Sequence, residues 1–379
     1  MKIAFFSNFL NHHQLPLCEV LYNSEGVEFL FVACERIPEE RLKMGYEDMN
    51  TKYPFVLRAY EESDAAEKVA VEYDAVIFGA CPTSYLALRM NEDKLSFRFC
   101  ERSLKKGRWR RFIPRTRNKI YEGYTKYKSK KLYVLGASSY AADDLALCGF
   151  DKRKCFEWGY FPAIDKKDVD ALFEQKRKKT TPEILYAGRL LPLKHVIDTV
   201  KAVHELKKQN IAAHFTIVGE GESAEEIKEY VEKYNLSDRV TMLPFTTPQG
   251  VREYMDKADI FVFGSNFYEG WGAVVNEAMN SACATVVSHA VGSAAYLIKN
   301  GENGYIYKFA DVDDLTEKLK TLIIDKNLRE TFGKEAYKTV SELWIAEVAA
   351  NRFIELCKTI ERGEDHRTLY ESGPCSAVK

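Results

Sequence analysis

The stretch DIFVFGSNFYEGWGAVVNEAMNSA, residues 259–282, decides the fold class. Its first residues, 259–264, form a near-continuous apolar run, which is typical of a parallel strand covered on both faces. A glycine-rich loop, 265–270, follows, and a helix-like pattern begins near Trp271 or Gly272. Strand, loop and helix in this order belong to βαβ units, so the sequence predicts an α/β protein built on parallel sheets.

The same alternation of strand-like and helix-like patterns extends outward in both directions along the chain. A length of 379 residues favours two domains over one. The pattern breaks into charged, sparsely apolar sequence near Phe161–Thr181, which we interpret as a connection. We therefore predict an N-terminal domain 1–162, a linker 163–182, a C-terminal domain 183–344 and, because periodicity is absent there, a flexible tail 363–379.

Composition limits the class of protein. Hydrophobic residues make up 46% and charged residues 29% of the chain, as in globular proteins in general. Nine cysteines without a C-x-x-C pair favour a reducing cytosol over a disulfide framework. The start of the chain reads as a first strand and not as a signal peptide, and no apolar run approaches the length of a transmembrane helix.

A net charge of −1 conceals a strongly basic segment at 98–131, where 14 lysines and arginines stand against two glutamates. Tryptophan, phenylalanine and tyrosine residues are interleaved with these cations. The segment is either a solvated face with extended lysines or a docking surface. No nucleic-acid-binding module is recognisable, so we predict no nucleic-acid partner and favour an anionic membrane surface.

Two glutamates in the stretch that decides the fold invite a functional interpretation. Glu269 lies in the loop, and Glu277 lies in the following helix, where a carboxylate can accept hydrogen bonds from vicinal hydroxyls such as those of ribose. Arg189 and Lys194 follow the strand-like run EILYA, which places them at the carboxyl edge of the same sheet. Two cations and a helix N-terminus at one edge predict a diphosphate site, in which the cations contribute the larger share.

The motifs GRLLPLK, from Gly188, and EGWGAVVNE, from Glu269, resemble those of the E-x7-E glycosyltransferases, family 4 of the retaining enzymes, also called glycosyl transferases group 1. The resemblance extends from about Glu183 to Val340. It implies a GT-B fold of two Rossmann-like domains with parallel sheets facing across a cleft. It also implies that a C-terminal helix, about 345–362, joins the N-terminal domain.

The resemblance further implies roles for individual residues on the donor side. The donor diphosphate is assigned to Arg189, Lys194, Gly272, Ala273 and Val274. The donor sugar is assigned to Glu269, Gly270 and Trp271, with Glu269 also a catalytic candidate. The ribose is assigned to Glu277, and the base to Gly219, Pro244 and Phe245.

The acceptor side departs from the family pattern. The family often has a Gly-Gly turn after the first strand, where this chain reads SNFLNHHQ, and a histidine where it reads CERS. His12 is our candidate for catalytic contact with donor sugar or acceptor; the alternative is that it caps or packs against the next helix. His13 and Glu101 are acceptor-side candidates, although a salt bridge within the basic segment is the alternative for Glu101.

The function implied by the resemblance is retaining transfer of a sugar from a UDP- or GDP-sugar to a glycan or polyprenyl-diphosphate-linked acceptor in surface polysaccharide assembly. Front-face attack, with a leaving phosphate oxygen taking the acceptor proton, is the implied mechanism. We expect no cofactor and no metal, and a cytoplasmic protein peripheral to the inner face of the cell membrane. The alternatives are a sugar-nucleotide epimerase on the same fold and a non-catalytic protein that docks on membranes.

Overall fold

The computed structural model describes residues 1–39, 42 and 47–378. The chain forms two compact units. Unit 1 comprises Met1–Ala163 and Trp344–Lys379, and unit 2 comprises Ile164–Leu343. The sequence analysis placed the two boundaries after residue 162 and near residue 344.

Unit 1 is built on a seven-stranded parallel sheet in the order β3-β2-β1-β4-β5-β6-β7. Residues of β4 and β6 are buried throughout, because helices cover both faces of the sheet. Its strands are β1 Lys2–Ser7, β2 Glu28–Ala33, β3 Val56–Arg58, β4 Ala75–Phe78, β5 Ser96–Cys100, β6 Leu132–Gly136 and β7 Cys155–Glu157.

The helices of unit 1 between these strands are short. They are α1 Leu15–Asn23, α2 Ser63–Glu72, α3 Thr83–Asn91, α4 Pro114–Gly123 and α5 Ala141–Ala146. Proline at the first position of α4 is compatible with a helix start, since the amide that it lacks would have no partner inside the helix. A 3₁₀ turn, Arg108–Phe112, precedes α4, and both lie within the basic segment 98–131.

Unit 2 repeats the architecture with a six-stranded parallel sheet in the order β10-β9-β8-β11-β12-β13. Its strands are β8 Glu183–Ala187, β9 His214–Val218, β10 Val240–Leu243, β11 Ile260–Phe263, β12 Ala284–Ser288 and β13 Gly304–Tyr307. Its helices are α6 Val169–Lys176, α7 Val196–Lys208, α8 Ala224–Lys233, α9 Pro248–Lys257, α10 Val274–Asn280, α11 Ala294–Leu297, α12 Val312–Ile324 and α13 Lys326–Lys338. Both units therefore have the parallel α/β class that the sequence predicts.

The segment 163–182, interpreted from sequence as a linker, contains α6 and packs into unit 2. Asp168 caps α6 by accepting the amide of Ala171 at 3.0 Å. The buried Lys176 donates from Nζ to the carbonyl oxygens of Ser281 and Ala282 at 2.9 and 3.0 Å. Lys176 is the one buried cation of this segment, and its two hydrogen bonds anchor the segment to unit 2.

The last helix, α14 Ala346–Glu361, belongs to unit 1 and packs against α1. Phe353 on α14 meets Phe97 of β5 edge-on, with ring centroids 4.9 Å apart. Trp344, just before α14, is buried and stacks at 6.3 Å on Phe161. The apolar face that the sequence shows along this helix is therefore buried in the N-terminal unit.

Residues 363–378 make contacts with the rest of unit 1, although the absence of periodicity predicts a flexible tail at 363–379. Phe156 of β7 and Ala377 form an antiparallel bridge. Glu157 donates its amide to Ser376 at 2.8 Å and accepts the amide of Cys375 at 2.9 Å. The aperiodic sequence hid this contact, because pairing with the edge of a sheet requires backbone groups and not a side-chain pattern.

We expect removal of residues 364–379 to destabilise unit 1. Cys375 and Ser376 are 0% and 1% exposed, so truncation uncovers both the edge of β7 and the surface beneath them. A loss of about 1–3 kcal/mol corresponds to a melting temperature lower by roughly 2–10 °C for a unit of this size. Arg352→Ala should show part of this effect, since Arg352 donates to the Ser372 carbonyl at 2.6 Å. An unchanged melting temperature in the truncated chain would show that the segment contributes nothing.

Candidate functional site

The loops that follow β8 and β9 lie against each other at the carboxyl edge of the unit 2 sheet. Gly219 has a φ of +149°, and a Cβ there would overlap the carbonyl oxygen of Gly188. Its amide donates to Leu243, at the end of β10, at 3.0 Å. Glycine at 219 thus permits close packing of neighbouring loops. Gly221, which the sequence analysis did not select, has the same role against Leu190.

The two predicted cations both lie in the loop between β8 and α7. A 3₁₀ turn, Pro192–Lys194, ends at His195, which adopts the left-handed conformation with a φ of +50°. The Arg189 side chain is exposed, and no residue in the described part of the chain forms an ion pair with it. Arg189 is therefore a cation whose charge is available to a ligand at the sheet edge.

Lys194 forms an ion pair with Glu269, joining the loop after β8 to the loop after β11. The two side chains are only 17% and 15% exposed, so solvent screens their attraction weakly. Ser265 donates to the same carboxylate oxygen, Oε2, at 2.9 Å, and the Lys194 ammonium lies 4.9 Å from the centroid of the Phe263 ring. The sequence placed these two residues at one site, and the structure shows that they are direct partners.

One of the two glycines beside Glu269, Gly272, is required by the local structure. Gly272 has a φ of +84°, and a Cβ there would lie 2.9 Å from the Phe263 ring and 3.0 Å from Val291. Glycine at 272 is therefore explained by its backbone conformation and by core packing.

 Trp271 is 1% exposed, and its Nε1 donates to Asn276 of α10 at 2.8 Å. Burial leaves only backbone groups at Trp271 for the donor-sugar contact that the resemblance implies. The buried indole instead fixes the loop on α10, which holds Glu269 and Glu277 in one local frame.

Helix α10 begins slightly later than the sequence predicts. It starts at Val274, with Ala273 as its N-cap residue, and has seven residues. The amide of Val275 is bonded to the carbonyl of Gly272 at 2.9 Å. Two turns of helix have a weak dipole, so Arg189 and Lys194 are the main sources of positive charge at this edge.

Glu277 is half-buried on α10, and no described residue donates a hydrogen bond to its carboxylate. Burial raises the pKa of Glu277 above its ordinary value, and the positive charge of Arg252 partly opposes this rise. The Arg252 guanidinium is itself paired with Asp165 at 2.7 Å. A desolvated carboxylate without a hydrogen-bond donor has the acceptor capacity that a pair of ligand hydroxyls would use.

The base candidates lie beyond the carboxyl end of β10. Phe245 is 64% exposed, which is unusual for a phenylalanine, and Pro244 beside it is also exposed. The Gly219 amide joins this segment to the loop after β9 through Leu243. The donor-side candidates therefore lie in loops at the carboxyl edge of the unit 2 sheet, except Val274 and Glu277, which lie in helix α10.

The acceptor-side candidates lie at the carboxyl edge of the unit 1 sheet. His12 is exposed and its ring lies 3.9 Å from that of His13, between β1 and α1. Glu101 follows β5, forms an ion pair with Lys105 and accepts a hydrogen bond from Tyr160 at 3.1 Å. The salt bridge that was the alternative interpretation of Glu101 is thus present. Tyr160, which follows β7, is a further residue at this edge that the sequence does not indicate.

The basic segment 98–131 has both exposed aromatic residues and paired cations. Trp109 and Phe112 are 61% and 72% exposed. Arg102 pairs with the buried Asp144 at 3.0 Å, so part of the positive charge is neutralised inside unit 1. Among the described residues, no helix has the length and apolar character required to cross a bilayer.

Residues 168–339, which lie in unit 2, match the sequence model of the family described as glycosyl transferases group 1. The chain is 29% identical over 175 residues to the poly(glycerol-phosphate) alpha-glucosyltransferase of Bacillus subtilis, covering 46% of this chain and 25% of that protein. It is 29% identical over 153 residues, and 40% of either chain, to the N-acetylgalactosamine-N,N'-diacetylbacillosaminyl-diphospho-undecaprenol 4-alpha-N-acetylgalactosaminyltransferase of Campylobacter jejuni. The matched region therefore spans less than half of each of these relatives.

Solved structures extend the comparison to both units. A crystal structure of Anabaena HepE in complex with UDP covers 95% of this chain and 100% of its own, with a TM-score of 0.68 and 16% identity. A likeness at this identity establishes the fold, and the predicted GT-B class of two Rossmann-like domains is confirmed. The chain thus has the GT-B fold, and its sequence similarity to the glycosyl transferases of group 1 lies in unit 2.

Proposed function

We propose that the protein is a retaining glycosyltransferase that moves a sugar from a UDP- or GDP-sugar to a glycan or lipid-linked acceptor. The observation that carries the proposal lies at the unit 2 sheet edge, where Arg189 and the Lys194–Glu269 pair occupy the loops after β8 and β11, and Glu277 lies on the helix that follows. Family similarity over residues 168–339 supports it independently.

The chemistry of this cluster fits a sugar nucleotide. Cleavage of a sugar–diphosphate bond leaves negative charge on the diphosphate, and preorganised cations stabilise that charge. Arg189 and Lys194 have this role in the proposal, and they remove the need for a metal ion. Glu277 accepts the ribose hydroxyls, and Pro244 and Phe245 border the base.

In this scheme Glu269 holds Lys194 in place through one carboxylate oxygen and contacts the donor sugar through the other. Its Oε2 atom is bonded to Lys194 and Ser265, which leaves Oε1 to accept a hydroxyl of the donor sugar. A carboxylate that is already paired with a lysine is a poor nucleophile. We therefore propose front-face attack, in which the leaving phosphate oxygen takes the acceptor proton, and His12 remains our candidate for contact with sugar or acceptor.

The acceptor is proposed to be part of a surface polymer assembled at the membrane. The names of the two relatives describe transfer onto a poly(glycerol-phosphate) and onto a diphospho-undecaprenol saccharide. The exposed Trp109 and Phe112, among the cations of 98–131, fit an anionic lipid surface. His13 and Glu101 are proposed to lie near the acceptor.

Thermal unfolding in the presence of UDP, GDP, ADP and their sugars tests the donor assignment. A nucleotide present at 100 times its dissociation constant should stabilise the protein by about 2.7 kcal/mol. Turnover then requires release of UDP or GDP from the matching sugar nucleotide when an acceptor is present. Formation of an epimerised sugar nucleotide without release of UDP or GDP would support the epimerase instead. Binding of a nucleotide without any reaction would support a non-catalytic docking protein.

A further inference from the structure

Unit 1 contains a cavity of about 820 Å³ at the carboxyl edge of its sheet, within the size range of small-molecule sites, about 300–1,000 Å³. Its walls come from the loop after β1, the end of β5 and the basic segment 98–131. Seven lysines and arginines line the cavity, whereas Glu101 is the one acidic residue among its described lining residues. Part of the basic segment therefore faces a concave site.

Most of these cations have no acidic partner. Arg102 is paired with Asp144, and Lys105 is paired with Glu101. No described acidic residue forms an ion pair with the other five, which are Arg98, Lys106, Arg110, Arg115 and Lys119. Five like charges around one cavity repel one another, and a bound anion would relieve that repulsion.

Arg98 gives an independent reason to expect a ligand. It lies in β5, its Nη1 donates weakly to the Gly79 carbonyl at 3.3 Å, and it lines the cavity. Its Nε is buried without a hydrogen-bond partner in the described part of the chain. A buried donor left unsatisfied is destabilising, so such groups are rare unless a water, ion or ligand completes them.

The cations of helix α4 are divided between two faces of the helix, and only one of these faces lines the cavity. Arg115 and Lys119 are four residues apart and line the cavity, whereas Arg117 does not. Residues at i and i+4 share a helix face, and a residue halfway between them points away. Like charges at this spacing destabilise a helix, and a bound anion on that face offsets this effect.

We propose that this cavity binds a phosphate-bearing group, namely the phosphodiester or diphosphate of an anionic acceptor. The assignment to an acceptor rests on the proposed function, whereas the binding of a phosphate group does not. The concave shape and the inward arrangement of Arg98, Arg115 and Lys119 favour a ligand that enters the cavity over a flat lipid surface.

Calorimetric titration with inorganic pyrophosphate tests the proposal on the full chain. Lys119→Gln should weaken pyrophosphate binding by roughly fivefold to tenfold, as expected for loss of about 1–1.4 kcal/mol. Arg117→Gln, on the same helix with the same change of charge, should leave it unchanged. Arg98→Lys is a second test, because it keeps the charge but removes the Nε donor, and it should also weaken binding.

Several results would overturn the proposal. The first is that pyrophosphate does not bind, and the second is that Lys119→Gln and Arg117→Gln lower the affinity for pyrophosphate equally. The third is that Arg189→Ala abolishes all binding, which would place the anion in unit 2. Binding only to vesicles of phosphatidylglycerol and phosphatidylcholine would assign the cations to a membrane surface. UDP affinity, measured separately, tests the donor site, so failure of the proposed function is distinguishable.

Competition experiments identify which kind of acceptor supplies the phosphate group, because each candidate compound is tested for displacement of pyrophosphate. Displacement by a glycerol phosphate oligomer would support the cavity as a site for a phosphodiester polymer. Displacement by farnesyl diphosphate would support it as a site for a prenyl diphosphate. If neither compound competes, the cavity does not bind an acceptor of either kind, and that part of the proposal is wrong.

Discussion

Lys194→Ala is expected to lower the rate of sugar transfer by roughly 10²–10³-fold, the range seen when one preorganised donor to a developing negative charge is removed. The ammonium lies in the loop after β8 and is 17% exposed. In our proposal it stabilises the leaving diphosphate, so its loss acts on the rate of the bond-breaking step. The measurement is release of UDP or GDP from the sugar nucleotide at saturating acceptor.

The same substitution is expected to reduce stability, and this effect must be separated from catalysis. Glu269 is 15% exposed and would lose its cation, leaving Ser265 as the donor to Oε2. Breaking a buried pair from one side costs up to about 3–5 kcal/mol, and the partial exposure of this pair places the cost toward or below the lower end. Unfolding by urea measures this loss.

A double variant, Lys194→Ala with Glu269→Gln, distinguishes the two effects. Removing both charges should restore most of the stability, because no unpaired carboxylate remains, while transfer stays low. Lys228→Ala is the matched control, since Lys228 is 55% exposed and forms only a surface pair with Glu225 at 3.7 Å. Recovery of transfer in the double variant would show that Lys194 acts only by neutralising Glu269.

The fold class follows from sequence because parallel sheets leave a strong local signal. Strands such as β11 and β12 are buried throughout, so they appear as uninterrupted apolar runs between helical patterns. The C-terminal segment gives no such signal. Its contact with β7 at Phe156 depends on backbone hydrogen bonds, which any sequence can form.

The sequence predicts which residues belong to the candidate donor site, but it does not predict the contacts among them. Arg189, Lys194 and Glu269 lie at one sheet edge, because every loop after a parallel strand emerges there, and Glu277 lies in the helix that follows the loop after β11. The Lys194–Glu269 pair could not be derived, since it joins loops 75 residues apart. The burial of the Trp271 side chain could not be predicted either, because its place in a glycine-rich loop gives no sign of it.

The cavity in unit 1 was beyond sequence reasoning for a similar reason. The basic segment was recognised by its charge, but a count of cations does not tell a flat surface from a concave one. That difference depends on how α4 is rotated, and Ile120 sets the rotation by its burial. Arg115 and Lys119 then line the cavity, while Arg117 does not.

Glu277→Gln is expected to weaken UDP binding by roughly 10–100-fold and, at neutral pH, to stabilise the free protein. The first effect follows from loss of a charged acceptor for two ribose hydroxyls, which contributes about 1.5–3 kcal/mol. The second follows from the raised pKa of Glu277, because a buried carboxylate that resists ionisation costs stability whenever it is charged.

The sign of the pH dependence gives this prediction its sharpest test. Because the folded pKa of Glu277 lies above the unfolded one, its favourable contribution is complete below the unfolded pKa and is lost as pH rises through the folded pKa. The stability advantage of Glu277→Gln should therefore shrink as pH falls through this window. UDP binding by the natural protein should weaken over the same window, since the protonated carboxyl is a poorer acceptor.

Comparison of UDP with 2′-deoxy-UDP separates a ribose contact from a general loss of affinity. The natural protein should prefer UDP, and Glu277→Gln should bind the two nucleotides with nearly equal affinity. Glu253→Gln, an exposed glutamate on α9, is the control and should retain the preference. If Glu277→Gln kept the full preference for UDP, the carboxylate would have no contact with the 2′-hydroxyl, and the unpartnered acceptor on α10 would need another ligand.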